Sequence, residues 1–472
     1  MRKLILVVSI AAFGAAATLE GQDIDRSKRP DIPPAAAFHF PAVHHHKLPN
    51  GLQLYVVEDH TIPLVAARII LPDASLDPVG KEGLDSLTIG VLREGTTTKG
   101  ATELAEASAD LGTTVTPTRF TVTSDEARAA LSLVGDMLMH SLLDSGAVER
   151  RRAGQAAQAR GNMLNPSTPA RRLFYSLIYS PDDDFVRSLA ANDTVVGRLT
   201  RDDVLRHYQQ YIGPRTTAIV LVGDLTDAAA LSLVKSIFGS WSSPATLPAR
   251  RAAASVAPHP TTIYISDVPA FSDAYVFVGN AIAPRRSTPD FYAAEVASIV
   301  AHLRMQLVLR EQRSLMYSGS SGIIWSVPPR PSVFVGSTRL NVAKSDTALV
   351  AWLGFLRELR SGTASAQDVD AARKYIVAFL TQRMDGPDQI ADRVADMVRG
   401  EMPLDYYDRY MAGIAAVTPA EANAAAAKIF DTDHFTISIS GPRAALERVL
   451  RAANIAPVVA VDANGRPIES KK

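Results

Sequence analysis

A chain of 472 residues, 47% hydrophobic and 21% charged, is long enough for two or three domains and apolar enough to give each a buried core. Lys plus Arg and Asp plus Glu both number 49, so no global field draws nucleic acid or an anionic membrane surface, which argues against a nucleic-acid partner. There is no cysteine, which excludes disulfides and thiolate metal sites.

The chain opens Met1-Arg2-Lys3, followed by an apolar run over 4–10 and Ala-rich sequence ending Ala15-Ala16-Ala17. A basic start, a short apolar run and small residues at the cleavage site describe a secretory signal peptide over 1–17, and cleavage is placed after Ala17. An uncleaved anchor is the alternative, although the run is short for spanning a bilayer. No other stretch reaches about 18 apolar residues, so the mature chain is expected to be soluble, with no membrane attachment, and periplasmic.

Residues 18–41, with Pro30, Pro33 and Pro34, read as a flexible lead-in. Asn50-Gly51 then predicts a tight turn between strands, with strands over 52–58 and 63–71. After a loop rich in Asp, Pro and Gly, the spacing of Leu84, Leu87 and Val91 predicts a helix over 83–95, ended by Gly95. Ser86, Ile89 and Gly90 share one face of it. A helix over 102–111, a hairpin-like segment over 113–123 alternating Thr with Val and Phe, helices over 125–143, 148–163 and 201–211, and a strand over 217–222 ending at Gly223 follow.

The pattern then restarts. A Ser, Pro, Ala and Arg-rich stretch over 241–260 reads as a linker, and beyond it come strands over 262–266, 274–282 and 333–341, helices over 289–310, 347–360, 366–384 and 419–430, and a strand over 435–439. Ser124-Asp125 and Ser345-Asp346 open corresponding helices, and the strand before Gly223 parallels the one before Gly441. Two tandem homologous α+β domains, 42–240 and 261–455, with a tail over 456–472, account for this order; each is expected to pack an antiparallel-rich sheet with helices.

The ten histidines offer no H-E-x-x-H and no His pair one helical turn apart. His44-His45-His46 point in different directions along an extended segment, and Asp136 with His140, or Asp203 with His207, read as helix-surface pairs. No G-x-S-x-G occurs, and Gly319-Ser320-Ser321-Gly322 reads as a turn.

Leu48-Pro49-Asn50-Gly51-Leu52, the helix flanked by Gly83 and Thr96, Leu111-Gly112, and the run from Leu309 through Arg310, Glu311, Gln312, Arg313, Ser314, Leu315 and Met316 to Tyr317 and Ser318 stand in an order that resembles the M16 peptidases. The likeness covers about 42–455 and is greatest to the two-domain bacterial members; it implies the α+β fold of the mitochondrial processing peptidase. Active members carry H-x-x-E-H on the helix after the first two strands, with two imidazoles for zinc and a glutamate as general base. Laid on this chain, the histidines fall at Ser86 and Gly90, the glutamate at Ile89, and the third zinc ligand near Gln158; none of these positions is functional, so no metal and no catalytic residue is expected in the chain alone. The resemblance further implies that Arg310 and Tyr317, at the family's seven-residue spacing, hold substrate and polarise its carbonyl, although Ser314 stands where the family has glycine. Alternatively, Arg310 pairs with a surface carboxylate and Tyr317 packs at an element's edge.

The implied function is that of a non-catalytic, substrate-binding subunit of a zinc peptidase heterodimer, whose partner supplies H-x-x-E-H and the zinc, acting on peptides or unfolded segments. A β-addition site is expected along 113–123. The alternative is a non-proteolytic peptide-binding or structural module, and residual hydrolysis from an unrecognised site is a third possibility.

Overall fold

The computed structural model describes residues 39–468 apart from 73–75, 181, 249–255, 270, 327–329 and 463–464. The signal peptide expected over 1–17, and all but the last residues of the lead-in, lie outside the described residues. In the first half the elements are β1 (His44–Lys47), β2 (Gln53–Glu58), β3 (Leu64–Ile70), α1 (Leu84–Val91), α2 (Ala101–Asp110), β4 (Arg119–Thr123), α3 (Ala127–Met139), α4 (Ser145–Met163), α5 (Ser167–Ile178), α6 (Asp184–Ser188), α7 (Asp193–Gly197), α8 (Arg201–Tyr211), β5 (Ala218–Gly223) and α9 (Asp227–Phe238). The second half runs β6 (Thr262–Asp267), β7 (Asp273–Ile282), α10 (Phe291–Met305), β8 (Met316–Ile324), β9 (Ser332–Asn341), α11 (Ser345–Arg360), α12 (Ala366–Gln382), α13 (Pro387–Arg399), α14 (Tyr406–Ala416), α15 (Pro419–Ile429), β10 (Thr436–Gly441), α16 (Arg443–Ala453) and β11 (Val458–Val461).

Two sheets result, ordered β1-β2-β5-β3-β4 and β11-β6-β10-β7-β9-β8. Four successive strands in each match in order and sense: β2 and β6 run parallel to β5 and β10, whereas β3 and β7 run antiparallel to those strands and to β4 and β9. The chain is therefore α+β with an internally repeated plan. A short 3-10 turn precedes α3 at Ser124–Glu126 and α11 at Val342–Lys344. Ser124 thus corresponds to Val342, not to Ser345, and the same separation joins Ala218 to Thr436 at the starts of β5 and β10.

Local chemistry explains the central strands. Every residue of β5 is buried, as its run Ala-Ile-Val-Leu-Val-Gly requires, and Gly223 closes it at φ 135°. A Cβ there would lie 2.0 Å from the Leu64 carbonyl oxygen, so only glycine lets β3 and β5 cross so closely. The buried strand β10 alternates Ile with Ser, and its hydroxyls are satisfied by another element: Ser438 donates to Ala170 O at 2.6 Å and Ser440 to Pro166 O.

Both acceptors belong to the start of α5, so a helix from the first half covers the second sheet. Phe174, Tyr175 and Ile178 of α5 share a core with Phe277 and Val333. The exchange is mutual, because α13 from the second half packs on β3 and β5 of the first sheet. There Arg68 of β3, with its side chain 5% exposed, reaches Asp392 at 2.6 Å and Asp388 at 2.9 Å. The described residues from His39 onward form one compact unit.

Several expectations shift. The helix over 83–95 ends at Val91, and Gly95 instead takes φ 145° and bridges to Gly100. Within 113–123 only Arg119–Thr123 is strand, as the backbone of Thr116 turns to bond Arg119. Gly319-Ser320-Ser321-Gly322 lies within β8, not in a turn. Small residues suit it, since a Cβ at Gly319 would come within 2.7 Å of the Met305 methyl. The segment read as a tail contributes β11, paired in parallel with β6.

Candidate functional site

Helix α1 starts on a buried acid. Asp77 accepts hydrogen bonds from the backbone N–H groups of Gly83 and Asp85, both at 2.7 Å, which places a carboxylate at the positive end of the helix. Gly83 takes φ 96°, beyond ordinary reach of a side chain with a Cβ. Burial pushes the Asp77 carboxyl up to about 6, against the opposing pull of those two hydrogen bonds. Leu84, Leu87, Thr88 and Val91 point into the core, which leaves Ser86 exposed and Ile89 and Gly90 half-buried.

The half-buried face is covered by α4, and the side chains that reach it are not ligands. A Cβ at Gly90 would meet the Arg151 Cδ at 3.8 Å, and Gln155 donates to Gly83 O at 2.9 Å. Gln158 is exposed, one turn beyond Gln155. Arg151 pairs with Glu94 at 2.5 Å, with Arg150 adding a contact at 3.4 Å. Burial, and then the neighbouring Arg151, pull the Arg93 guanidinium below its usual value. A zinc site needs three converging nitrogen, oxygen or sulfur ligands. Ser86, Ile89, Gly90 and Gln158 supply one hydroxyl and one amide facing solvent, and Arg151 brings a fixed positive charge across the same face. These residues do not fit a zinc ion.

Arg310 and Tyr317 stand on either side of one turn. After Met305, α10 continues as a π-helical segment, Gln306–Gln312, whose widened winding carries Arg310. Leu309 is fully buried and accepts a bond from Leu315 N at 2.7 Å, which anchors the segment. Between them Ser314 holds φ 47°, so the left-handed conformation that glycine favours is kept here by serine. The Arg310 side chain is half-exposed, with Glu311 at 3.5 Å. Tyr317 is 88% exposed and does not pack at the element's edge. It lies where the pairing of β8 with β9 is irregular, between Met316 and Gly319, on the outer strand of the second sheet.

Beneath α1 lies a polar cluster that sequence reasoning misread. Asp203 and His207 on α8 are both buried, not a surface pair. His207 Nε2 meets Asp85 at 3.2 Å, and its Nδ1 is buried with no hydrogen-bond partner among the described residues. Asp203 bonds Lys81 and, at 2.6 Å, Arg206; burial raises its carboxyl, but these bonds and that from Thr200 outweigh it and hold the group far below the usual range. The capping box Thr200 to Asp203 was readable and would have shown that Asp203 faces its own helix start. Asp136 and His140 do form a helix-surface pair at 3.1 Å. His45 bonds Gln53 and His46 bonds Asp227, each at 2.7 Å.

Residues 198–376 match the family model described as Peptidase M16 inactive domain. No curated protein is matched. Among solved structures, a peptidase M16 inactive domain from Pseudomonas fluorescens is similar over 85% of this chain and 98% of its own, with 18% identity and a TM-score of 0.74. A protease from Helicobacter pylori matches at 15% identity and TM-score 0.72, over 85% of this chain and all of its own. A chain of complex III2 from Candida albicans matches at 14% identity and TM-score 0.68, over 88% of this chain and 99% of its own. The family model matches only 198–376, and the solved structures share the fold over most of the chain.

Proposed function

We propose that this M16-family chain, whose own α1 carries no ligand set, is the non-catalytic, substrate-binding subunit of a periplasmic M16-type zinc peptidase heterodimer. The observation that carries the reading is the presentation of Arg310 and Tyr317, a guanidinium and a phenol held out to solvent across one left-handed turn. Both are hydrogen-bond donors suited to an oxyanion, and the described residues hold no cluster of metal-ligating side chains for them to serve. In this reading the partner supplies H-x-x-E-H, the third glutamate and the zinc. Peptides or unfolded segments would be held extended by β-addition, with β4, the outer strand of the first sheet, as the docking edge.

The test is reconstitution with an M16 subunit that carries intact H-x-x-E-H. Arg310→Ala and Tyr317→Phe are expected to lower peptide turnover by the pair without preventing assembly. Unchanged turnover by an assembled pair would refute the assisting role. A second reading, a non-proteolytic peptide-binding or structural module, draws on the fold likeness to the chain of complex III2. Assembly or peptide binding with no effect on any peptidase would favour it.

A further inference from the structure

A cavity of about 1010 Å³ opens between α10, α12, α13, α14 and the far end of β8, away from the turn that carries Arg310 and Tyr317. Its wall is aromatic. Phe291 of α10 meets Trp325 edge-on at 4.6 Å between ring centroids, and Tyr410 of α14 lies 6.0 Å from Phe291. Glu295 is half-buried at this wall and accepts hydrogen bonds from Trp325 Nε1 at 2.6 Å and Tyr410 OH at 3.1 Å. These bonds orient the two rings and occupy the carboxyl, so the interior offers planar apolar surface in place of an open acceptor.

The rim has the opposite character. Arg286 lies over the Tyr406 ring at 5.6 Å and donates to the Met402 sulfur, and neither contact neutralises a guanidinium. Arg399, in the last turn of α13, is exposed and has no hydrogen bond or ion pair among the described residues. The carboxylates beside them are engaged: Asp396 pairs with Arg393 at 3.0 Å, and Glu401 has a partner of its own. Two guanidinium groups without a close ion pair among the described residues therefore border an aromatic cavity of ligand-binding size, Arg286 acting on the Glu295 carboxyl only at longer range.

We propose that this cavity binds an aromatic carboxylate, with its ring against Trp325 and Tyr292, the rings of this wall that keep accessible surface, and its anionic group at Arg286 and Arg399. Stacking selects the ring, and the charge-assisted bonds of arginine select the carboxylate. Either a free aryl-alkyl carboxylic acid or the C-terminal Phe, Tyr or Trp of a peptide presents this chemistry. The site stands independently of the proposed peptidase role.

Calorimetric titration of the full chain with N-acetylphenylalanine and with its amide tests the proposal. The acid is expected to bind at least about tenfold more tightly than the amide, as loss of a charge-assisted bond implies. Arg286→Ala with Arg399→Ala, both at exposed positions, should abolish that preference and leave amide binding unchanged. The two sources separate on a peptide ending in Phe and its C-amidated form: tighter binding of the acid-ended peptide than of N-acetylphenylalanine identifies a peptide terminus, and weaker binding a small acid, either outcome supporting the ligand class. Equal binding of acid and amide, no binding of either at millimolar concentration, or a preference that survives the double substitution would overturn it.

Discussion

Replacing Arg68 with methionine tests whether the exchanged helix α13 locks the two sheets together. The guanidinium is almost fully buried; burial alone would pull its pKa down, and Asp392 and Asp388 more than compensate. Removing one side of a buried ion pair costs about 3–5 kcal/mol. Here Asp388 is 35% and Asp392 45% exposed, so water recovers part of their hydration, and Asp388 keeps Thr121 at 2.6 Å and Arg119 at 3.2 Å. Methionine also retains most of the buried stem volume. The net loss is therefore expected to be about 2–3 kcal/mol, below the range for a wholly enclosed pair. Urea unfolding followed by tryptophan fluorescence measures it, and a double-mutant cycle with Asp388→Asn and Asp392→Asn should return a coupling of at least about 1 kcal/mol. A variant within about 0.5 kcal/mol of the parent would show that apolar packing alone holds α13, and that the ion pair has no role in joining the halves.

Three further outcomes follow from the same geometry. Asp77 has a folded pKa of about 6 against an ordinary 3.8, so its protonation favours the folded state. That contribution is complete below about 4, is lost as pH rises through 6, and amounts to ~3 kcal/mol. Unfolding free energies of the parent and Asp77→Asn should diverge across this interval, and parallel pH profiles would contradict the assignment. Ser314→Gly should stabilise the chain by up to ~1 kcal/mol by relieving a left-handed serine, read as a rise in the urea midpoint; a fall would mean that the serine hydroxyl matters more than the backbone. Rebuilding the motif with Ser86→His, Ile89→Glu and Gly90→His should give only weak zinc binding while Arg151 crosses the face. Adding Arg151→Ala should tighten zinc at least about tenfold by competition titration, and no change would remove the electrostatic argument.

The elements most legible in the sequence were those with a strong local signal. The Asn50-Gly51 turn, the buried run of β5 and the helix Arg201–Tyr211 announce themselves through turn chemistry, continuous apolar residues and regular periodicity. What escaped depended on contacts far apart in sequence. In β10 the serines make sense only once α5 covers them, and α13 follows no landmark until Arg68 is seen to need its acids. The edge strand β8 looked like a turn because Gly and Ser serve equally where chains approach closely. Of the site, the spacing of Arg310 and Tyr317 was readable, as was the lack of ligands at Ser86, Ile89 and Gly90. The cation placed across that face by Arg151 was not, since it comes from a different helix.

The central claim is that Arg310 and Tyr317 act on substrate at the zinc site of a partner subunit. Its most direct measure is kcat/KM for peptide hydrolysis by the reconstituted pair, with this chain as parent or as the Arg310→Ala, Tyr317→Phe variant, and assembly checked by co-elution. The account predicts a loss of about 10²-fold or more, the scale for removing oxyanion donors, with assembly intact. An unchanged rate from the assembled variant pair, or turnover with stoichiometric zinc by this chain alone, would contradict it.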